Sequence, residues 1–244
     1  MNRRGRVLAP LVLALALVSQ LAWGQGAAPP QGATPPQKAP PPIGEMKPLG
    51  NDRFRIGHIV VDKRTRRITV SGRVLNVGKP LEYFATTPKG WKAYETLLEV
   101  DATGSEFNLA CILLGLERPA DPQEFQRYGR QPLAGPRVAL YVAWSQDGKP
   151  RRLSGAEALL DPQGGVKAES VEWVYLGSPA TKAGGAFGAD VTGTLIGLVH
   201  DPASVIDSVD GVGIGAYGSV KGNPALPPVG SEIDLIVEVP RAKQ

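Results

Sequence analysis

The 244-residue chain has one cysteine and two histidines. An intrachain disulfide is therefore impossible, and the two or three histidines of a typical zinc hydrolase set are barely present. It carries 27 basic and 23 acidic residues. Arg3, Arg4 and Arg6 precede any acidic residue, so from residue 25 onward the balance is 24 against 23. A near-neutral chain with scattered Lys and Arg lacks the basic stripe that nucleic-acid binding requires.

The first 24 residues have the pattern of a secretory signal. Arg3, Arg4 and Arg6 form the positive region. An apolar run over 7–21 follows, broken by Pro10, Ser19 and Gln20, and Ala22-Trp23-Gly24 supplies a small-residue cleavage site. A membrane span needs about 20 apolar residues, and this run is shorter. Cleavage and release, secreted or periplasmic, are thus expected, and the membrane is a partner only if the signal is kept as an anchor. Arg3-Arg4 also permits a twin-arginine route. No lipobox cysteine follows.

Residues 25–50 hold eight prolines, from Pro29 to Pro48, among Gly, Gln and Ala. Such a composition predicts a disordered or polyproline-like linker. A single domain is expected over 51–244, long enough for a self-sufficient core.

Within the domain, 54–61 and 65–75 are predicted strands. In the second, Ile68, Val70 and Val74 alternate with polar residues, which gives one buried and one wet face. The basic cluster 63–67 falls between them as a solvated hairpin turn. Residues 76–80 are a turn by composition, and 81–86 a short strand. Residues 91–100 fit a strand or a helical turn. Over 105–116, Phe107, Ala110, Cys111 and Leu114 recur at helical spacing, with Leu109, Ile112 and Leu113 on the remaining face. That predicts one buried helix, with Ser105 as its N-cap and Cys111 as a packed thiol.

Residues 117–136 are proline-rich and polar, a long loop. Residues 137–145 are apolar on both faces, as in a central strand. A short helix is expected within 153–160, strands at 169–177 and 233–239, one long strand over 189–200 or two joined at Thr192-Gly193, and a glycine-rich loop over 207–228. No regular alternation of strand and helix appears. The fold class expected is α+β, mainly β: a largely antiparallel sheet or sandwich with one buried helix at about 105–116.

Several constellations suggest chemistry and are outweighed by plainer readings. Residues 213–218 spell G-x-G-x-x-G, but the proline-containing run after it cannot open the helix a dinucleotide site needs. His200, Asp201, Asp207 and Asp210 lie close in sequence. They match no calcium loop, and His200 with Asp201 is only a weak metal candidate. No G-x-S-x-G elbow is present. No cofactor is implied. The densest polar group is Glu82, Lys92, Tyr94 and Glu95, gathered around one turn, and these four are the candidate ligand-binding residues. Two carboxylates near a turn would do acid–base work only if burial split their pKa values.

The run from Leu81 to Pro119, LEYFATTPKGWKAYETLLEVDATGSEFNLACILLGLERP, resembles the YdjY-like domain of secreted bacterial proteins. In that family a similar G-K-x-H-E-S run precedes an apolar helix ending in L-L-x-x-G. VALYVAWSQDGKPRRLSGAEALLD, VEWVYLGS and DVTGTLIGLVHDPASVIDSV follow in matching order, so the likeness covers roughly 55–240. The resemblance implies no assigned activity. This chain has Tyr94-Glu95 where the pattern has His-Glu, and a tyrosine, with a pKa near 10, is a poor base at neutral pH. The function expected is a non-catalytic binding or interaction domain of the cell envelope, for a small ligand, a glycan or a protein partner. The alternatives are a secreted hydrolase using Glu82 and Glu95 as an acid–base pair, and a membrane-tethered scaffold.

Overall fold

The alternation seen over 65–75 forms β4 (Arg67–Val74), whose Ile68, Val70 and Val74 are fully buried. The structure is a computed structural model that describes residues 43–120, 123–129, 131–162, 171–178, 185–212 and 220–241. The expected signal, most of the expected linker and the G-x-G-x-x-G run lie outside these residues.

Three short strands, β1 (Met46–Gly50), β2 (Arg53–Ile56) and β3 (Ile59–Asp62), lead antiparallel into β4. Strand pairing thus begins at Met46, inside the stretch expected as linker. The single strand expected over 54–61 is a hairpin, because Gly57 takes the left-handed conformation (φ +54°) and reverses the chain. Next come β5 (Tyr83–Thr86), a 3-10 turn (Ala93–Glu95), β6 (Thr96–Val100) and α1 (Gly104–Leu113). The second half holds β7 (Arg137–Gln146), β8 (Lys149–Ser154), β9 (Leu159–Leu160), β10 (Trp173–Tyr175), α2 (Gly188–Thr192), β11 (Thr194–Gly197), β12 (Ile206–Ser208), β13 (Lys221–Gly222) and β14 (Glu232–Glu238).

Eight of these strands close into a barrel in the order β4-β14-β7-β10-β12-β11-β5-β6, with β6 returning to β4. The expected open sheet or sandwich is therefore corrected. Closure depends on β4 changing partners along its length. Its residues 67–70 pair with β3, and 72–74 pair with β6. Gly72 marks the switch. A Cβ there would lie 2.2 Å from the Glu99 carbonyl oxygen, so only glycine lets the two backbones approach this closely. A long-range pairing of that kind leaves no periodic trace in sequence. Neighbours are antiparallel except β5–β6 and β11–β12, which are parallel. The interior is filled by side chains, as in other small barrels. Phe84 and Trp173 meet edge-to-face there, their centroids 5.2 Å apart.

The helix differs from expectation in its start and in its burial. Thr103, not Ser105, is the N-cap. Its hydroxyl accepts from the Glu106 N–H while the Glu106 carboxylate accepts from the Thr103 N–H, a reciprocal capping box. Ser105 instead bonds the Asp190 carboxylate at the start of α2. Phe107, Ala110 and Cys111 are buried, but Ile112 is 50% exposed, so the helix lies on the barrel with one face to solvent. Burial raises the Cys111 thiol pKa, which keeps it protonated and inert.

Three further expectations are corrected. Residues 153–160 contain the end of β8 and the short β9 rather than a helix, and residues 207–228 include the end of β12 and all of β13. Residues 189–200 break at Thr192-Gly193, but the first segment is α2 and not a strand. Gly193 (φ +77°) ends α2 in a left-handed cap and lets β11 start afresh.

Candidate functional site

Glu82 sits immediately before β5, and its backbone is held from both sides. Its N–H donates to the Glu95 carbonyl (2.9 Å), and its carbonyl accepts from the N–H groups of Leu198 and Val199 (2.9 and 3.0 Å). The side chain is thereby fixed in a buried position, 7% exposed. Its Oε1 accepts from the Tyr128 hydroxyl (2.8 Å) and its Oε2 from Arg127 Nη2 (2.8 Å), with Lys92 Nζ at 3.4 Å. Burial pushes this carboxyl pKa up. The Tyr128 hydrogen bond and the Lys92 and Arg127 charges outweigh it and hold the pKa below the usual range. At neutral pH Glu82 is thus held as a carboxylate that accepts these bonds.

Lys92 bridges the two glutamates. Its Nζ is 2.8 Å from Glu95 Oε2, as well as 3.4 Å from Glu82, and lies 5.3 Å from the centre of the Tyr94 ring. Partial burial pulls its pKa down, but its bonds to Glu95 and Tyr94 and the Glu82 charge more than offset this, so the ammonium is held above its ordinary range. The turn carrying these groups is tight. Ala93 N–H donates to Gly90 O, Glu95 N–H to Lys92 O, and the Thr96 hydroxyl to Lys92 O. Trp91 N–H donates to Thr192 O at the end of α2.

A second, deeper layer continues from Arg127. Tyr83, 1% exposed, donates to Asp201 Oδ2 (2.5 Å) and accepts from Arg127 Nη2 (2.7 Å). Burial and the adjacent Asp201 raise its phenol pKa far out of the physiological range. The Asp201 N–H donates to Asp207 Oδ2 and the Ser208 N–H to Asp207 Oδ1. Asp207 is fully buried. Burial, reinforced by the Asp201 charge, raises its pKa well above the carboxylate range despite those two bonds. Gly197 has to be glycine, because a Cβ there would meet this carboxylate at 2.7 Å.

His200 is also fully buried, with Nε2 3.1 Å from the Val209 carbonyl and the Phe125 ring edge-on at 5.9 Å. A ring nitrogen facing a carbonyl donates, which places the proton on Nε2. Burial lowers its pKa against the raising effect of that bond, so the ring is neutral. Its carbonyl accepts from the Tyr128 N–H, which ties the loop carrying Arg127 to the barrel. Among the described residues no group of three His, Cys, Asp or Glu side chains is arranged to hold a metal ion.

Of the four candidates from sequence, Glu82, Lys92 and Glu95 form one ion-paired group. Tyr94 touches it through its ring, with 58% of its surface exposed. Asp201 joins through Tyr83 and Arg127, and His200 lies behind the loop. Sequence reasoning missed Tyr83, Arg127 and Tyr128. Tyr83 lay inside a predicted strand, and the other two lie in a proline-rich loop 45 and 46 residues from Glu82, without motif or periodicity. Elsewhere, a depression of about 380 Å³ is lined by Arg67, Tyr141, Arg152, Ser154, Glu157 and Glu238. Its guanidiniums both close on Glu238 Oε1, at 2.6 and 2.9 Å.

The charged groups around Glu82 therefore satisfy one another. What the arrangement offers outward is Trp91, 70% exposed, beside Tyr94 on a turn fixed from beneath. No curated protein and no solved structure matches the chain. Residues 59–238 match the YdjY domain, a span that contains the whole barrel and every residue of this polar network, and the chain belongs to the YdjY domain family.

Proposed function

We propose that the protein is an exported, non-catalytic binding domain of the cell envelope, secreted or periplasmic, with its ligand face on the 91–95 turn. The observation that supports this most is the contrast within that turn. Lys92 and Glu95 are paired inward, while Trp91 and Tyr94 stand 70% and 58% exposed on a hydrogen-bonded frame. Large aromatics on a rigid base are the usual anchors of binding faces. An acid–base reading of Glu82 and Glu95 is less well supported, because both carboxylates hold the same ammonium. Acid–base work would need one of them neutral.

The test is co-sedimentation of the full mature chain with an isolated envelope fraction. Wild type should be retained, and the Trp91→Ala/Tyr94→Ala variant should stay in the supernatant with an unchanged melting temperature. Equal retention of the two would sink this reading. Export predicts a mature N-terminus at Gln25, read by N-terminal sequencing. An intact signal on protein recovered from the cytoplasm would count against it.

A further inference from the structure

Resting on the reading of the 91–95 turn as a ligand face, we infer that its ligand is a neutral saccharide chain, held by stacking of pyranose rings on Trp91 and Tyr94. The turn is built from i to i+3 hydrogen bonds, Ala93 to Gly90 and Glu95 to Lys92. Trp91 and Tyr94, three residues apart on this turn, are both exposed.

Three features select a sugar over other occupants. The first is area. Two aromatic side chains offer a few hundred Å² at most, well short of the roughly 800 Å² per partner of a stable protein interface. Among the described residues, none of the other exposed large apolar residues lies on α2 or β6, two of the elements this turn bonds to. The second is charge. Lys92 and Arg127 face three carboxylates, Glu82, Glu95 and Asp201, so neither cation is left over to select an anionic ligand. Their outer oxygen and nitrogen atoms remain suitable partners for hydroxyls. The third is rigidity. Gly90 is packed so closely that a Cβ would lie 1.9 Å from Thr86 Oγ1, and the Trp91 backbone is bonded to Thr192. A preformed platform loses little entropy on binding, which matters for a ligand whose own contacts are weak. Pyranose rings present a face of axial C–H groups that packs flat on such rings, with hydroxyls around the rim.

The probes are the tetramers of N-acetylglucosamine and of glucose, titrated into the full mature chain and followed by the indole N–H signals of its tryptophans. At least one tetramer should give a saturable shift of the Trp91 signal, with the buried Trp173 signal unmoved. Trp91→Ala and, separately, Tyr94→Ala should each weaken binding about tenfold or more, and Trp91→Phe should retain part of it. The melting temperature of each variant serves as the folding control. The inference is overturned if neither tetramer moves Trp91 while envelope retention still depends on Trp91. Retention would then be assigned to protein or lipid, and phospholipid vesicles run in parallel separate those two. Loss of Trp91-dependent envelope retention altogether would instead remove the ligand face itself.

Discussion

The barrel wall has two unlike halves. On one side β4, β14 and β7 run seven to ten residues each, and β14 pairs with β4 over seven consecutive residues without a break. On the other side β10, β12, β11 and β5 are three or four residues long, one of the pairings is parallel, and the β5–β11 register shifts twice. The long half is held by continuous ladders and an apolar interior. The short half is held by side chains, through Glu82, Tyr83, Arg127, Asp201 and Asp207. Division of labour follows: regular strands supply stability, and the irregular side, where backbone groups alternate with loops, has room for polar side chains and for a ligand face.

The largest effect should come from the long half. Leu235 is fully buried at the centre of β14, and Leu235→Ala should cost about 3 kcal/mol, read from the denaturant midpoint. Gly72→Ala should cost about 2–3 kcal/mol by forcing β4 off β6. A cost under about 0.5 kcal/mol would show that the seam is not tight. Arg127→Met should cost less, about 1–2 kcal/mol, because its side chain is 36% exposed. Its signature is local: hydrogen exchange should quicken at Leu198 and Val205 while the β14 amides keep their protection. Uniform change across both halves would contradict the division.

Titration sets two groups of the short half against each other. The lowered Glu82 pKa contributes stability above the unfolded carboxylate value near 4.3, and that contribution is lost as pH falls through the folded value. Asp207 acts oppositely. With its folded pKa raised, its favourable contribution is complete below about 3.9 and is lost as pH climbs through the folded value. Asp207→Asn should therefore flatten the decline of stability with rising pH, measured by melts from pH 4 to 8. An unchanged slope would mean that Asp207 is ionised in the native state. Smallest of all, Trp91→Ala should shift stability by less than about 0.5 kcal/mol, although it is expected to weaken binding about tenfold or more.

The long half was the legible half. Alternation in β4 and β14 and the apolar run of β7 are local signals, and each predicts its strand closely. The short half was legible only in part: β5 and β10 fall inside the strands expected at 81–86 and 169–177, whereas the three-residue β12, with too few periods to show, was not expected. Over 189–200 the β-branched residues concealed that the segment before Gly193 is helical, and over 105–116 the apolar run concealed an exposed Ile112. In the site, Glu82, Lys92 and Glu95 were visible because a single turn gathers them in sequence. Arg127 and Tyr128 were invisible because their contacts to Glu82 exist only once the loop has folded back. The ring itself was hidden for the same reason, since nothing local announces that β4 leaves β3 for β6.

One consequence of strand order concerns time. The gap between β4 and β7 is filled by β14, so Ser71 waits for Asp234, 163 residues later, before its side chain is bonded. Until those last residues are delivered, the molecule is an open sheet with two long unpaired edges, and edges of that kind recruit neighbouring chains. Whatever machinery handles the nascent polypeptide must shield both edges, because the final strand is the one that shuts the ring. Loss of β14 would leave the ring open between β4 and β7.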